Sequence, residues 1–245
     1  WRISGNSTAG SNSQKLYACE AAKKALREHI ERIGLKGEVK DGAFLTSYRV
    51  IFPIERTPKI SVIIPNKDHV SDLRKCLNSI LNGSTFGNYE IIVVENNSED
   101  EETFDYYSSL SKIDNIKIIT WDKSFNYSAI NNFGVKHATG EFLLFLNNDT
   151  EVISSDWMES LLEHTQRKEI GACGSKLYYP DNLIQHGGVI LGIGGVAGHS
   201  HKYFSKESGG HMGRLRVIQN LSAVTGACLM MRKEVFEEIG GFDER

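Results

Sequence analysis

Three short polar runs, each closing an apolar one, hold the residues best suited to chemistry: Pro65-Asn66-Lys67-Asp68, Glu95-Asn96-Asn97-Ser98 and Asn147-Asn148-Asp149. The last follows Phe142–Leu146, which reads as a buried strand. Three polar residues cannot continue such a strand inside a core without partners, so the chain must surface there. In an open parallel α/β sheet, ligands bind outside the carboxyl ends of the strands. A carboxylate planted at that edge, Asp149, is a hard oxygen ligand suited to Mg2+ or Mn2+ held together with a diphosphate. The same residues also fit an ordinary Asn/Asp turn at a strand exit. One polar strand end is common. Three on one edge would make a site, with donors and acceptors for a base and ribose and a metal for phosphates.

The elements that must carry these ends follow from the rhythm of the chain. From Lys59 onward, apolar runs (KISVIIP, YEIIVVE, NIKIITW, GEFLLFL) alternate with amphipathic stretches. Continuous apolar runs mark strands covered on both faces. The helical stretches are expected over about 70–81, 100–111 and 128–137, with Gly83 ending the first. Strands alternating with helices imply right-handed crossovers and a parallel sheet. Beyond it, 156–165 reads as a helix, IGACGSKLYY and SAVTGACLMMR as strands, and 233–239 as a last helix. Residues 187–213 hold nine of the 23 glycines, as a lid or acceptor loop would.

The front of the chain differs. Residues 1–12 read as a tail, and Ser13 as the cap of a helix over 14–33 with Leu16, Ala22, Leu26, Ile30 and Ile33 on one face. An edge strand over 48–54 follows, and Thr57-Pro58 marks a linker. The expected organisation is therefore a small α/β appendage over 1–57 and a main domain over 58–245. The chain begins without Met and stops at GGFDER in what reads as a structured segment, so both ends are expected to be cut from something longer.

Composition narrows the class. At 245 residues the chain can bury a sizeable core, and a net charge of −3 argues against a dedicated nucleic-acid binder. Cys19, Cys76, Cys173 and Cys228 are far apart, without CxxC or zinc spacing, and read as reduced core thiols of a cytoplasmic protein. No window is long and apolar enough for a membrane span, and the start is no signal peptide.

Taken together and in order, KISVIIPNKD, YEIIVVENNSED, FNYSAINNFGVKHATGEFLLFLNNDTEV, QHGGVILG, AGHSH and VTGACLMMRKEVFEEIGGFDE resemble the inverting glycosyltransferases of family 2, which have the GT-A fold. The likeness covers about three quarters of the chain. It is strongest to the bacterial subgroup that builds O-antigen and other surface polysaccharides, rhamnosyltransferase-like proteins among them. WRISGNSTAG is similar to the segment that closes a preceding transferase unit in tandem members of that subgroup.

The resemblance implies a GT-A fold, a Rossmann-like, mostly parallel sheet flanked by helices. It also implies transfer of a sugar, with inversion, from a nucleotide-diphosphate sugar to a lipid-linked or polysaccharide acceptor at the inner face of a bacterial membrane. Carried over by residue, Pro65 and Asp68, with Asn66, would line the base end of the donor pocket. Glu95 and Asn96, with Ser98, would read the nucleotide, Asn96 standing where Asp is commoner. Asn131 and Gly134 would belong to the helix covering ribose and phosphates, Asn148 would touch the ribose, and Asp149 would bind Mg2+ or Mn2+. His186, His199, His201, Thr225 and Gly226 would line the acceptor side. The catalytic base would follow GGFDE, beyond Arg245, and neither Asp243 nor Glu244 takes its place.

Two other classes stand beside this one. A transferase-like module that holds nucleotide without catalysis is favoured by Asn148, which leaves a single carboxylate in the metal motif. A dinucleotide-binding oxidoreductase is favoured only by Gly192-Ile193-Gly194-Gly195-Val196-Ala197, which fits G-x-G-x-x-G/A but precedes a poor helix and lacks a framing βαβ unit. The basic stretch Arg214–Arg216 is too short for a nucleic-acid surface.

Overall fold

The structure, a computed structural model, describes residues 12–245, with side chains from Leu16 onward. The expected tail up to residue 11 and the side chain of Ser13 lie outside the described residues. The chain divides into two compact units: the described residues up to Pro53 together with Ser205–Asn220, and Ile54–Phe204 with Leu221–Arg245.

In the first unit, α1 (Asn12–Arg32) precedes a hairpin of β1 (Glu38–Asp41) and β2 (Tyr48–Ile51). Cys19 and Ile30 are buried, whereas Leu16 and Ile33, expected on the same face, are exposed. The buried stripe is therefore shorter than the helix. Lys23 ties the helix to the hairpin by pairing with Asp41 at 3.1 Å.

The second unit opens with β3 (Ile60–Asn66), α2 (Val70–Gly83), β4 (Tyr89–Glu95), α3 (Glu101–Leu110), β5 (Ile116–Thr120), α4 (Tyr127–Val135) and β6 (Phe142–Leu146). It continues through α5 (Trp157–Thr165), β7 (Ala172–Gly174), β8 (Leu177–Tyr178), β9 (Ile184–His186), β10 (Val189–Leu191) and β11 (Ala197–His199). It closes with β12 (Cys228–Arg232) and α6 (Lys233–Glu238). The main sheet has the order β5-β4-β3-β6-β12-β7. Its first four strands are parallel, and β12 runs antiparallel to both neighbours. The apolar run GACLMMR thus forms a strand only from Cys228.

Alternation of side chains sends Ile60, Val62, Ile64, Leu144 and Val93 to a core shared with α2, α3 and α5. Ile63, Ile92, Val94, Leu143 and Phe145 go to the other face, under Ile130 of α4 and Phe236 of α6. Burying each such aliphatic side chain contributes about 1.5–3 kcal/mol, and covering both faces explains the unbroken apolar runs.

The chain steps outward from β3 to β4 and β5, then returns to lay β6 on the other flank of β3. That reversal opens a crevice at the carboxyl ends of β3 and β6, where a doubly wound sheet binds ligands. Among the described residues, no helix is long and apolar enough to cross a membrane.

Candidate functional site

The three polar strand ends meet on this edge. Asn66 pairs in register with Glu95, and Pro65 with Val94. Asn66 is buried and works in three directions: its Nδ2 donates to Tyr107 Oη at 2.7 Å and to the carbonyl of Asp68 at 3.0 Å, and its Oδ1 accepts from Asn148 Nδ2 at 2.6 Å. This side chain therefore ties the end of β3 directly to the end of β6, and reaches the end of β4 through Tyr107, whose hydroxyl donates to Glu95.

Glu95 is buried, with both oxygens engaged. Oε1 accepts from the Ser98 amide, and Oε2 from Ser98 Oγ and Tyr107 Oη, each hydroxyl at 2.6 Å. Burial, and then contact with Glu95, pushes the Tyr107 hydroxyl well above its ordinary pKa. Ser98 Oγ also accepts from the Asp68 amide at 2.8 Å. Asp68 Oδ1 in turn accepts from the amides of Asp100 and Glu99, at 3.0 and 2.8 Å, ahead of α3. Those backbone bonds hold its carboxyl below the usual range. Asn96 Nδ2 donates to the carbonyls of Trp121 and Lys123, at 3.0 and 2.8 Å.

The backbone at this edge is strained. Asp68, His69 and Asn97 have φ of 49°, 47° and 55°, left-handed values that cost a non-glycine residue on the order of 1–3 kcal/mol. The hydrogen bonds just described hold Asp68 and Asn97 there, Asn97 Nδ2 donating to the Lys123 carbonyl.

Asp149 contrasts with Glu95. It is exposed, and among the described residues it makes no hydrogen bond or ion pair. No group of three or more His, Cys, Asp or Glu gathers as a metal site among the described residues. Asp149 is thus a free carboxylate at the end of β6, outside any cluster of three or more such ligands among the described residues. That fits an ion such as Mg2+, which keeps several waters and binds through one or two carboxylates plus substrate phosphates.

Antiparallel β12 brings its beginning, not its end, to the same edge. The Asn147 amide donates to the Ala227 carbonyl at 3.1 Å, so Thr225-Gly226 lies beside Asn148-Asp149. A Cβ on Gly226 would come 2.4 Å from Tyr127 Oη, which donates to the Gly226 carbonyl at 2.8 Å. Next to Thr225 sits buried His186, whose Nε2 accepts from the Thr225 amide at 3.4 Å and whose Nδ1 lies 2.9 Å from His199 Nδ1. His201 faces elsewhere, bonding Ser200 and packing edge-on to Phe204.

Glycosyl transferase family 2 matches residues 61–240. The chain belongs to that family. It is 42% identical over 232 residues, 93% of its length, to the O-antigen biosynthesis protein RfbC of Myxococcus xanthus. It spans 27% and 18% of the lengths of the two curated relatives that it matches over 93% or more of itself. Its fold is that of GT-A glycosyltransferases. One similar structure is GalNAc-T7 with UDP, GalNAc and Mn2+ (TM-score 0.61, 17% identity, 79% of this chain and 38% of that one). Another is the mannosyltransferase PcManGT of Pyrobaculum calidifontis with GDP-Man and Mn2+ (TM-score 0.55, 13% identity, 94% and 57%).

Within this family 2 domain, not every residue singled out from sequence reaches the open edge. Gly134 faces the sheet: a Cβ there would lie 2.6 Å from Ile63 Cγ2 and 3.2 Å from Val94 Cγ2. Asn131 is fully buried; its Nδ2 donates to the Tyr127 carbonyl at 2.8 Å, and its Oδ1 has no partner. Gly192–Ala197 forms a 3-10 turn within the β10–β11 hairpin, with no helix after it, so it is not a dinucleotide loop. Sequence reasoning missed Tyr107, which reads as one more core aromatic at helical spacing. It also missed Asn126 and Asn132, which hold the Phe242–Glu244 backbone against α4. The repeated Asn residues of FNYSAINN were the available signal.

Proposed function

We propose that this domain binds a nucleotide-diphosphate sugar at the carboxyl edge of β3, β4 and β6 and serves sugar transfer, with inversion, onto a growing surface glycan of the lipopolysaccharide or O-antigen kind. The observation that carries the reading is the linking of three strand ends, β3 to β6 through Asn66 and β3 to β4 through Tyr107 and Glu95, with one unpaired carboxylate, Asp149, left beside them. The buried network does not itself offer Glu95 to a ligand. It fixes the backbone against which a base and ribose would lie, leaving Pro65, Asn148 and the outer oxygen of Asp68 for contact. A divalent ion at Asp149, when bound, neutralises charge developing on the diphosphate leaving group. Asn148, oriented by Asn66, is then held to meet a ribose hydroxyl.

On the acceptor side, His186, His199, Thr225 and Gly226 stand next to the metal carboxylate along the chain of contacts through Ala227. We assign no catalytic base among the described acids: Asp243 is paired with Arg245 at 2.7 Å, and Glu244 accepts from Asn132 at 2.8 Å. A lipid-linked acceptor at the inner face of the bacterial membrane completes the proposal.

Calorimetry with UDP, GDP and dTDP, with and without Mn2+, tests it. At least one nucleotide should bind in a metal-dependent way. Asp149→Asn should weaken that binding at least about tenfold, the low end of what losing even an outer metal partner costs. Binding of none of the three, or equal affinity with and without Asp149, would remove the site. Nucleotide binding without transfer by the longer natural protein would instead point to the non-catalytic module.

A further inference from the structure

Two imidazoles on the acceptor side are ordered by a group that has no choice. A backbone amide only donates, and that of Thr225 points at His186 Nε2 across a long 3.4 Å. A neutral imidazole carries one N–H and one lone pair. His186 is neutral near pH 7, because burial, and then the neighbouring His199, pushes it down to about 4. With the Nε2 lone pair taken by Thr225, the single proton of His186 must sit on Nδ1. That nitrogen lies 2.9 Å from His199 Nδ1, with the rings edge to face at 84°. His199 Nδ1 must therefore accept, since a proton there would set two N–H groups head to head. The proton of His199 is left on Nε2, and among the described residues nothing bonds that atom, on a residue that is exposed.

We propose that His186 and His199 form a proton-ordered pair that presents the neutral Nε2–H of His199 to a hydroxyl oxygen of the acceptor sugar. This role rests on the glycosyltransferase reading above. His199 is a positioning residue: an uncharged donor fixes a sugar hydroxyl by its lone pair and leaves that hydroxyl its own proton. His186 acts only through His199, by setting its tautomer. The pair hangs from Thr225, two residues before the Ala227 carbonyl that receives the Asn147 amide, so it stands beside the strand end that carries Asn148 and Asp149.

Long-range 1H–15N correlation spectra of the 15N-histidine-labelled protein at pH 7.5 read both tautomers directly. The expected result is His186 protonated on Nδ1 and His199 on Nε2. His186→Leu should release His199 into a mixture of tautomers. His186→Gln, whose amide both accepts and donates, should keep His199 fixed. Methyl glycosides of glucose, mannose and rhamnose serve as acceptor probes. At least one should move the His199 Nε2–H signal while His186 keeps its tautomer. His186 protonated on Nε2, or tautomer mixtures at both rings in the unmodified protein, would overturn the pair. No response of His199 to any glycoside, in a protein that binds one of the three nucleotides, would overturn the acceptor role. Fixed tautomers in a protein that binds no nucleotide would keep the pair and overturn its acceptor role together with the glycosyltransferase reading.

Discussion

Asn96 donates from one amide nitrogen to two carbonyl oxygens and so ties the loop after β5 to the end of β4. A carboxylate in its place has nothing to donate and would set negative charge against both carbonyls. Asn96→Asp is therefore expected to cost about 1–3 kcal/mol, the price of stranding buried polar groups, seen as a lower urea midpoint with unchanged slope. The resemblance to family 2 marked position 96 as a departure from the commoner Asp but implied only a nucleotide contact for it. The structural reason lies in Trp121 and Lys123, 25 and 27 residues away, which no local pattern could supply. The structural tie of Glu95, expected as a nucleotide reader, was hidden for the same cause: its partner Tyr107 sits on a helix face that spacing alone assigns to the core.

Helix α4 lies close to the sheet because Gly134 has no side chain. A methyl group there would overlap Ile63 Cγ2, on a β-branched residue that cannot swing aside. Overpacking of this kind costs about 1–3 kcal/mol, against a helix-propensity gain of at most about 1 kcal/mol. Gly134→Ala should thus lower stability by up to about 2 kcal/mol net in chemical denaturation. Nucleotide affinity of the folded fraction should stay unchanged, since the glycine faces Ile63 and Val94. A selective loss of affinity at full stability would return the residue to the binding surface. Elements of this kind were largely legible: β3, β4, β6 and α2 to α5 fall where apolar runs and helical periodicity put them. IGACGSKLYY, expected as one strand, breaks into β7 and β8, and β9 to β11 were not expected, because two- and three-residue strands carry too little pattern to tell from loop.

Across the whole sheet, the edge opposite the site is knotted by Glu90. Its Oε1 accepts from Ser61 Oγ at 2.6 Å, from the Thr139 amide at 2.7 Å and from Thr139 Oγ1 at 2.8 Å, and its Oε2 from Lys59 Nζ at 3.1 Å. Burial works against the charge, but these bonds outweigh it and hold the carboxyl down to about 2. A folded-state pKa below the unfolded value adds stability that is complete above the ordinary carboxylate range and is lost as pH falls toward about 2. Denaturation midpoints taken from pH 7 down to pH 2.5 (about the span that the linkage covers) should fall in the unmodified protein. In Glu90→Gln that part of the slope should be missing. An identical slope in both would mean that the knot is not linked to protonation.

The antiparallel course of β12 has one more implication. Gly174, at the end of β7, sits opposite Leu229, and Ser175 Oγ meets Cys228 Sγ at 3.3 Å, so the segment between them departs and comes home at adjacent posts. Its closure is already provided by the main sheet, whatever its length. Under the function proposed above, exchange of residues 175–227 between relatives, made together with the first unit to which Ser205–Asn220 belongs, should change the glycan extended while the residues of the nucleotide edge are kept.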